Sequence, residues 1–588
     1  MNGLTLLLGA SALFLVGYAV YSKFLSRVLG IDPSRPTPAH TRQDGCDYVP
    51  AHPTVLFGHH FAAIAGAGPI VGPVLAAEFG WAAVTLWIVF GCILIGAAHD
   101  MIALFLSVRH DGESIGSVIG TILGRPGKIL FLLFSWSALI LVVAEFNRQI
   151  AGTFVADPAI ATASLLFIGE AILFGLCVYR LKMPVLWASL IFVPLMFAFV
   201  WIGNVIPFDI VKLLGITPET AGMVWIITLL IYCFFASTCP VWILLQPRDY
   251  LNAYLLYAMM ALGFLGVFIA HPTLNIDAFA GFSAVGRSGG TDMLFPFLFV
   301  TVACGACSGF HALVASGTTA KQLSSEKSIR PIAYGGMLLE GVLAMIALIG
   351  VAGTYLNQAD YVAAVQAKEP VQMFASTIAG FCVKLFTGLG LDAKTGARIA
   401  ESFMLLSVSA FLMTTVDAGT RLARFSWQEL VAAFRGGEED QKDQAATGAA
   451  LPVGRSPRDR RTVSPAYTVF HNMYVGTFVV VVLAAALLLG NPKAAKQLWT
   501  IFASANQLLA SLTLLAATLW FIKNRKPCWM TAVPMVLMLG VSSWALSAIL
   551  LKACRGGAWT LAAASAFLIA VAVALVCFAV NKFCRREK

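Results

Sequence analysis

Residues 55–80, VLFGHHFAAIAGAGPIVGPVLAAEFG, decide how this chain folds. The block is apolar and long enough to cross a membrane as a helix, yet residues that break helices stand at its middle. They are Gly66, Gly68, Pro69, Gly72 and Pro73. Because proline removes a backbone hydrogen bond and glycine adds backbone freedom, we expect the helix to unwind there. Unpaired backbone groups are costly in lipid, so such a break predicts a surface that faces protein or a water-filled cavity.

Apolar blocks of the same length fill most of the sequence. Of its 588 residues 59% are hydrophobic and only 12% are charged, and the mean hydropathy is +0.84. Soluble domains carry about 25% charged residues. Residues 558–580 contain no charged side chain, and about 20 apolar residues suffice for a membrane helix. The composition excludes a soluble enzyme and predicts an all-α polytopic membrane protein.

The loops between the apolar blocks carry the topology signal. Cytoplasmic loops are enriched in Lys and Arg. The basic residues gather on one side only if one of the sixteen blocks, near 369–390, enters the membrane without crossing it. We therefore predict about fifteen transmembrane helices, a re-entrant segment near 369–390, an external N-terminus and a cytoplasmic C-terminus. The net charge of +10 then reflects topology and gives no reason to expect nucleic acid as a partner.

The same pattern divides the chain into four regions. Residues 1–53 form a peripheral first helix, retained rather than cleaved as a signal peptide, and a cytoplasmic loop. Residues 54–425 form the transport core. Residues 426–465 contain GGEEDQKDQAATG and RSPRDRR and are predicted to be a disordered cytoplasmic loop. Residues 466–588 form peripheral C-terminal helices.

A second candidate break lies in FFASTCPVWILLQPRDY, at Ser237–Pro240. It falls five spans after the first break, an odd offset that reverses the orientation in the membrane. This offset predicts an inverted-repeat core, in which half-helix N-termini face substrate anions at mid-membrane. A further block, VACGACSGFHALVASGTT, is dense in Gly, Ser and Ala. The simpler alternative is that Gly and Pro are common in membrane helices.

Several motifs resemble the carbon-starvation (CstA) family. The longest is DGCDYVPAHPTVLFGHHFAAIAGAGPIVGPVLAAEFGW at 44–81, followed by ACGACSGFHALVASGTTAKQL at 303–323 and LWTIFASANQLLASL at 498–512. The matches extend over most of the chain. One departure is Ala503, where the family usually has Gly, and such differences leave the substrate of this branch open.

The resemblance implies a fold and a function. Family members are described as inner-membrane peptide transporters or proton-coupled pyruvate transporters, induced when carbon runs short. Their core is similar to the LeuT-like fold of amino acid–polyamine–organocation (APC-type) transporters. We therefore expect a secondary active transporter that imports pyruvate or short peptides across the bacterial inner membrane by proton symport. The alternatives are a sodium-coupled carrier of the same fold and a membrane nutrient sensor.

Substrate-binding candidates cluster at the two predicted breaks. A histidine pair inside a membrane helix is costly unless it faces a cavity, and adjacent helical residues point about 100° apart. At most one of the two histidines therefore needs to face the substrate. The candidates are His59, His60, Gly66, Gly68, Pro69, Ser237, Thr238 and Pro240.

Ion-coupling candidates are polar residues inside other spans. Glu170 and Glu340 could each be the protonated carboxyl of a proton carrier or only bridge helices by a hydrogen bond. Asp417 and Arg421 could form an inner gate or an anchored pair. By the family resemblance, Ser316 and Thr319 lie on a helix that supplies a cation site in sodium-coupled relatives. Residues left ambiguous or assigned to local pairing and packing are His99, Asp100, Glu145, Arg148, Asn506 and Gln507.

Motifs for catalysis or cofactors are not found in the sequence. Cys304 and Cys307 form a lone C-x-x-C in an apolar run, which small residues at a packed helix interface explain without a metal. No nucleotide-binding motif is present, so an ion gradient is the expected energy source. We expect no catalytic residues, no cofactor and no metal, and as partners a small-molecule substrate, a proton or sodium, and the lipid bilayer.

The charge asymmetry generates a test of topology. Reporter domains that are active only in the periplasm, fused after Arg458 and after Lys588, are expected to be inactive because both positions are predicted to be cytoplasmic. A matched fusion after Ile206, at the other end of a span, is expected to be active. Reporter activity at Arg458 or Lys588 would contradict the orientation.

Overall fold

The computed structural model describes most of the chain, and the parts that it describes are residues 1–44, 48–240, 242–287, 289–435, 469–490 and 498–584. The predicted disordered loop lies mainly outside these described residues. Its beginning lies within them and is helical, because one helix continues to Arg435.

Helices form the membrane-spanning part, because within lipid a helix satisfies its backbone groups internally. Among the described residues, thirteen helices are long and apolar enough to cross a membrane. The bent pair Pro53–Ile64 and Gly68–Phe79 brings the number to 14. This confirms the all-α polytopic fold, whereas the predicted number of about fifteen is not confirmed.

The helices before the central loop are, in chain order, α1 (Gly3–Ala19), α2 (Tyr21–Leu29), α3 (Pro38–Thr41), α4 (Pro53–Ile64), α5 (Gly68–Ala76), α6 (Trp81–Phe90), α7 (Ala97–Arg109), α8 (Ile115–Leu123), α9 (Arg125–Ala156), α10 (Pro158–Gly175), α11 (Val185–Val205), α12 (Ile210–Leu214), α13 (Pro218–Thr238) and α14 (Leu245–Ala270). A 3-10 segment or a π segment continues three of them, at Ala77–Phe79, Gly91–Gly96 and Leu176–Arg180.

The strands β1 (Ser283–Val285) and β2 (Thr291–Met293) then pair antiparallel. The helices after them are α15 (Leu294–Thr301), α16 (Ala303–Ala306), α17 (Gly309–Val314), α18 (Ala320–Gln322), α19 (Gly335–Thr354), α20 (Gln358–Ala367), α21 (Pro370–Gly388), α22 (Ala393–Arg435), α23 (Met473–Leu489), α24 (Leu498–Lys523), α25 (Trp529–Arg555) and α26 (Trp559–Cys584). Further 3-10 and π segments lie at Ala315–Thr319, Glu326–Ser328 and Arg330–Tyr334.

The predicted break in residues 55–80 is present. Helix α4 ends at Ile64, α5 begins at Gly68, and the two are bent by 44°. Pro69 stands in the first turn of α5, where its missing amide hydrogen costs no helical hydrogen bond. We call α4 and α5 together the first broken helix.

The predicted second break at Ser237–Pro240 is wrong. Helix α13 is continuous to Thr238, and α14 begins separately at Leu245. Arg421 donates hydrogen bonds to the carbonyls of Ala236 and Cys239 at 3.0 and 2.6 Å, and so satisfies the end of α13. Pro240 therefore follows the end of a helix instead of interrupting one.

The second break lies instead in residues 294–322, the block dense in Gly, Ser and Ala. Helix α16 ends before Cys307, and Cys307 and Ser308 are both extended (φ/ψ −163°/123° and −127°/125°). Helix α17 begins at Gly309 and continues through the π segment to α18. We call residues 294–322 the second broken helix.

The two broken helices cross in opposite directions. The start of the first meets the end of the second, where the Ala51 amide donates to the Gln322 carbonyl at 2.9 Å. Further along, a Cβ atom on Gly72 would lie 2.7 Å from the carbonyl oxygen of Thr301, so glycine is required for this approach. Each break therefore lies beside the other helix.

The remaining core helices form corresponding pairs in the two halves of the core. The first broken helix packs against α14, and the second packs against α24. The long helices α9 and α22 pack on each other, and α13 and α23 flank both of them. The core is thus an inverted repeat, and the hairpin α10–α11 lengthens its first half. The second broken helix accordingly comes two spans later than predicted.

Residues on either side of α21 contact the same end of the bundle. Glu369, just before it, contacts Arg287 at 2.5 Å, and Arg398, at the start of α22, donates to Asn204 at the end of α11. Although α21 is long and apolar enough to cross a membrane, this arrangement supports the re-entrant segment, which stays a prediction.

Helix α22 extends beyond the boundary predicted at 425. Trp427 and Gln428 donate to the carbonyls of Phe470 and His471 at 2.8 and 2.9 Å, which holds this last part of the helix against the segment before α23. The helix therefore continues past the predicted boundary, to Arg435 among the described residues.

The two ends of the bundle differ in chemistry. At one end Arg109 pairs with Glu326 at 2.9 Å and Lys526 donates to the Leu29 carbonyl at 2.8 Å. We call this the basic end. At the opposite end the Leu274 amide donates to the Met1 carbonyl at 2.9 Å. The N-terminus therefore lies at the end of the bundle opposite Arg109 and Lys526.

Candidate functional site

A narrow cavity lies between the two breaks, with room for about one water molecule. Both broken helices, the long helices α9 and α22, and α24 contribute to its wall. The lining residues are Ile64, Gly66, Gly68, Val142, Phe146, Cys304, Ser308, Phe310, Thr415 and Phe502. The cavity is therefore too small, in this structure, for any molecule much larger than water.

Two half-helix N-termini meet at this cavity. Helix α5 begins at Gly68 and α17 begins at Gly309, directly after the cavity residue Ser308. The N-terminus of a helix carries about +0.5 charge and unpaired amides, so it attracts anions. A half-helix thus starts within the first predicted break, beside Pro69. The second half-helix starts at Gly309, and not at Pro240 in the second predicted break.

Close packing at the cavity depends on glycine. A Cβ atom on Gly68 would lie 2.2 Å from the Cβ atom of Cys304 on the second broken helix. A Cβ atom on Gly66 would lie 3.0 Å from the hydroxyl oxygen of Thr415. The first broken helix can therefore lie against both its partner and α22 only because these positions have no side chain.

Asn506 on α24 completes the second break, a role that the packing prediction missed. Its side-chain oxygen accepts from the Phe310 amide at 2.8 Å, and its nitrogen donates to the Ser308 hydroxyl at 3.0 Å and to the Cys304 sulfur at 3.3 Å. An amide side chain inside an otherwise apolar span was the available signal, because buried polar groups need hydrogen-bond partners.

A buried cluster of ionisable side chains lies next to the second break. His311 Nδ1 lies 2.8 Å from Asp100 Oδ2, and His99 Nδ1 lies 2.8 Å from Asp100 Oδ1. On its other side, His311 Nε2 lies 3.4 Å from Glu340 Oε2. We call Asp100, His311 and Glu340 the His311 cluster. Its members come from α7, α17 and α19.

The two adjacent histidines point in different directions, as expected for neighbours on a helix. His60 Nδ1 lies 2.8 Å from the Thr319 hydroxyl on the second broken helix. His59 Nδ1 lies 3.5 Å from Asp249 on α14. Both side chains join the first broken helix to a neighbour, and neither is among the residues that line the cavity.

The predicted pair of Asp417 and Arg421 has other principal partners. Asp417 accepts from Arg248 and from Tyr232, at 2.5 and 2.7 Å. Arg248 and Asp417 are fully buried and join α14 to α22. Arg421 caps α13. The four residues near the basic end therefore tie three core helices together.

The other predicted residues are spread over the fold. Glu170 is buried on α10, in the hairpin outside the repeat, and its carboxylate has no hydrogen-bond partner among the described residues. Ser316 donates to the Ala312 carbonyl and accepts from the Ile115 amide. The hydroxyls of Ser237 and Thr477 lie 3.3 Å apart, and Thr238 donates to the Phe234 carbonyl. None of these four predicted residues lines the cavity.

An ion network lies at the end of the bundle opposite the basic end. Arg148 pairs with Glu145 at 2.8 Å, as the sequence spacing predicted, and its guanidinium lies 3.6 Å from Glu369. Glu369 also contacts Arg287. The network borders an open pocket of about 340 Å³. The network joins α9, the residue before α21 and the turn between β1 and β2 that carries Arg287.

Within the described part of the chain, no group of three or more His, Cys, Asp and Glu side chains is arranged to hold a metal ion. The His311 cluster therefore offers acid–base and hydrogen-bonding groups.

Comparison with protein families gives one match across the chain. A model described as carbon starvation protein CstA matches residues 2–367 and 358–545.

Individual relatives cover most of the chain. A Bacillus subtilis protein named peptide transporter CstA is 34% identical over 463 residues, which cover 73% of this chain and 75% of that protein. An Escherichia coli protein named pyruvate/proton symporter BtsT is 30% identical over 609 residues, which cover 93% of this chain and 81% of that protein. Among solved structures, MhsT in complex with L-phenylalanine has a TM-score of 0.45 and 13% identity, covering 90% of this chain and 99% of that one.

The buried Arg248–Asp417 pair generates a test of stability. Asp417→Asn leaves a buried guanidinium without its counter-charge, so we expect a loss of about 3–5 kcal/mol. The double variant Arg248→Met with Asp417→Leu removes both charges and is expected to recover most of the thermal stability. Unfolding followed by size-exclusion chromatography in detergent measures both. If Asp417→Asn is as stable as the parent, the pair does not hold the helices together.

Proposed function

Because the chain belongs to the carbon starvation protein CstA family, we propose that it is a secondary active transporter importing a small carboxylate nutrient. The nutrient is pyruvate or a short peptide, and a proton moves with it. The two named relatives are transporters of both kinds, and the name of the Escherichia coli protein includes the proton.

The observation that carries this proposal is the convergence of two half-helix N-termini on one closed cavity. Pyruvate and a peptide C-terminus share a carboxylate, which the amides at the starts of α5 and α17 would attract. The hydroxyls of Ser308 and Thr415 would add polar contacts. The proposed substrate site therefore keeps Gly66 and Gly68 of the predicted site, and Cys304–Phe310 replace Ser237–Pro240.

Aromatic rings close the cavity. Phe146 on α9 and Phe502 on α24 pack edge to face with ring centres 5.3 Å apart. Because the second broken helix packs against α24, a shift of these two helices together relative to α9 would separate the rings. Such a rearrangement around a fixed site is the usual form of alternating access in inverted-repeat carriers.

Proton symport is favoured over sodium symport. The candidate sodium ligands Ser316 and Thr319 already bond within the protein, to Ala312 and Ile115 in one case and to His60 in the other. Buried acid–base groups, by contrast, lie directly beside the second break. We place the basic end on the cytoplasmic side of the inner membrane, which makes the C-terminus cytoplasmic.

Counterflow in proteoliposomes tests the substrate class. Vesicles loaded with unlabelled pyruvate are expected to take up labelled pyruvate, or vesicles loaded with a dipeptide to take up that dipeptide. Methyl pyruvate or a peptide amide should fail, because they lack the carboxylate that the half-helix ends would bind. Equal transport of the esters or amides would contradict the carboxylate site, and exchange of none of these compounds would contradict the function.

Thr415→Val tests the location of the site. The change keeps the shape but removes a cavity hydroxyl, so we expect an apparent KM raised about 5- to 30-fold, as for about 1–2 kcal/mol of lost hydrogen bonding. Thr228→Val is the matched control, since Thr228 also donates to the carbonyl four residues earlier but is exposed on α13. Unchanged KM in Thr415→Val would place the site elsewhere.

A further inference from the structure

We propose that the coupled proton binds to the His311 cluster, with Glu340 as the group that gains and loses it. This inference rests on the proposed symport and assigns a residue to its proton. The sequence had left Glu340 level with Glu170 and with a purely structural hydrogen bond. The geometry now separates these alternatives.

The charged side chains of the His311 cluster have a net charge of about −1, which one additional proton neutralises. Asp100 and His311 at 2.8 Å form a pair that is neutral overall when the carboxylate is ionised and the imidazole protonated. Glu340 then adds one uncompensated negative charge at a fully buried position, 3.4 Å from His311. Because an uncompensated charge in a low-dielectric interior is costly, binding of a single proton relieves it.

Glu340 has unused hydrogen-bonding capacity that faces this cluster. Neither of its carboxylate oxygens has a hydrogen-bond partner among the described residues, and its side chain is fully buried. A buried carboxylate with a structural role would normally have such a partner. A group that alternates between protonation states needs a position at which neither state is locked by a fixed donor.

The other titratable groups around the cluster are engaged with neighbours. His99 contacts Asp100, His60 contacts Thr319, the Cys92 thiol donates to the Met337 carbonyl at 3.2 Å, and Cys304 contacts Asn506. Cys307 is also close to Asp100 and is fully buried. Of the two carboxylates in the cluster, Asp100 is hydrogen-bonded by His311 and His99, whereas neither oxygen of Glu340 has a hydrogen bond within the described residues.

The position of His311 links the proton to the substrate. Ser308 and Phe310 line the cavity, and His311 follows Phe310 on the same half-helix. Glu340 lies on α19, which packs against α5 of the other broken helix. A movement of α17 that opens the cavity therefore changes the His311–Glu340 separation, and with it the proton affinity of Glu340.

The competing carboxylates lack this link. Glu170 lies on the α10–α11 hairpin, outside the repeat. Asp417 is already neutralised by Arg248, and Asp249 faces His59. None of them contacts a residue that adjoins a cavity residue on a broken helix.

Glu340→Gln in proteoliposomes tests the proposal, because the amide keeps the shape but cannot bind a proton. With one coupled proton and an inward gradient of one pH unit at zero membrane potential, the parent accumulates substrate up to about tenfold. Glu340→Gln is expected to exchange substrate by counterflow yet to accumulate it to equal concentrations only. Glu340→Asp, which keeps a carboxyl group, is expected to accumulate substrate with a shifted pH profile.

The outcomes separate this inference from the proposed function. A parent protein that exchanges no carboxylate overturns the function itself. A parent that accumulates substrate while Glu340→Gln does so equally overturns the proton site alone. Accumulation lost in Glu170→Gln but kept in Glu340→Gln also overturns it. If Glu340→Gln shows no exchange, Glu340→Asp decides, and an unchanged pH profile there counts against the proposal.

Discussion

Backbone amides and carbonyls that leave a helix within the membrane need partners other than lipid, and this requirement organises the fold. Each of the two broken helices has an interruption, and each interruption lies against the other helix or against a helix of the core. Asn506 donates and accepts at the second break, and the absence of side chains at Gly66 and Gly68 lets the first break approach α22 and Cys304. The breaks therefore persist because the other broken helix and the core helices α22 and α24 surround them.

This pairing shows which parts of the fold were predictable from sequence. The cluster of glycine and proline in residues 55–80 identifies the first break, because so many helix-breaking residues are incompatible with a continuous helix. Pro240 misled because proline also follows the end of an ordinary helix. Cys307 and Ser308 are extended without a proline, and Asn506 on α24 supplies the side-chain hydrogen bonds at this break.

The site was harder to predict than the fold, for a related reason. Glu340 was a candidate from sequence, but His311 was not, and Asp100 was ambiguous. Their proximity results from the packing of α7, α17 and α19, which the sequence did not show because the α10–α11 insertion displaces the second break by two spans. A one-dimensional count cannot detect an inserted hairpin, because its apolar blocks resemble those of the core. The histidine pair drew attention by its cost in lipid, yet its members join helices instead of lining the cavity.

The electrostatics of the core suggest why an anion and a proton should move together. Two half-helix ends provide partial positive charge at the cavity, and the His311 cluster next to it carries one surplus negative charge when Glu340 is ionised. A carboxylate entering the cavity brings a second negative charge into the same low-dielectric region, where like charges repel strongly. Protonation of Glu340 removes the first charge and so raises the affinity for the second. By reciprocity, the bound carboxylate raises the affinity of Glu340 for its proton. The substrate and the proton then need not touch. They are coupled because the substrate carboxylate and an ionised Glu340 repel each other within the same low-dielectric interior.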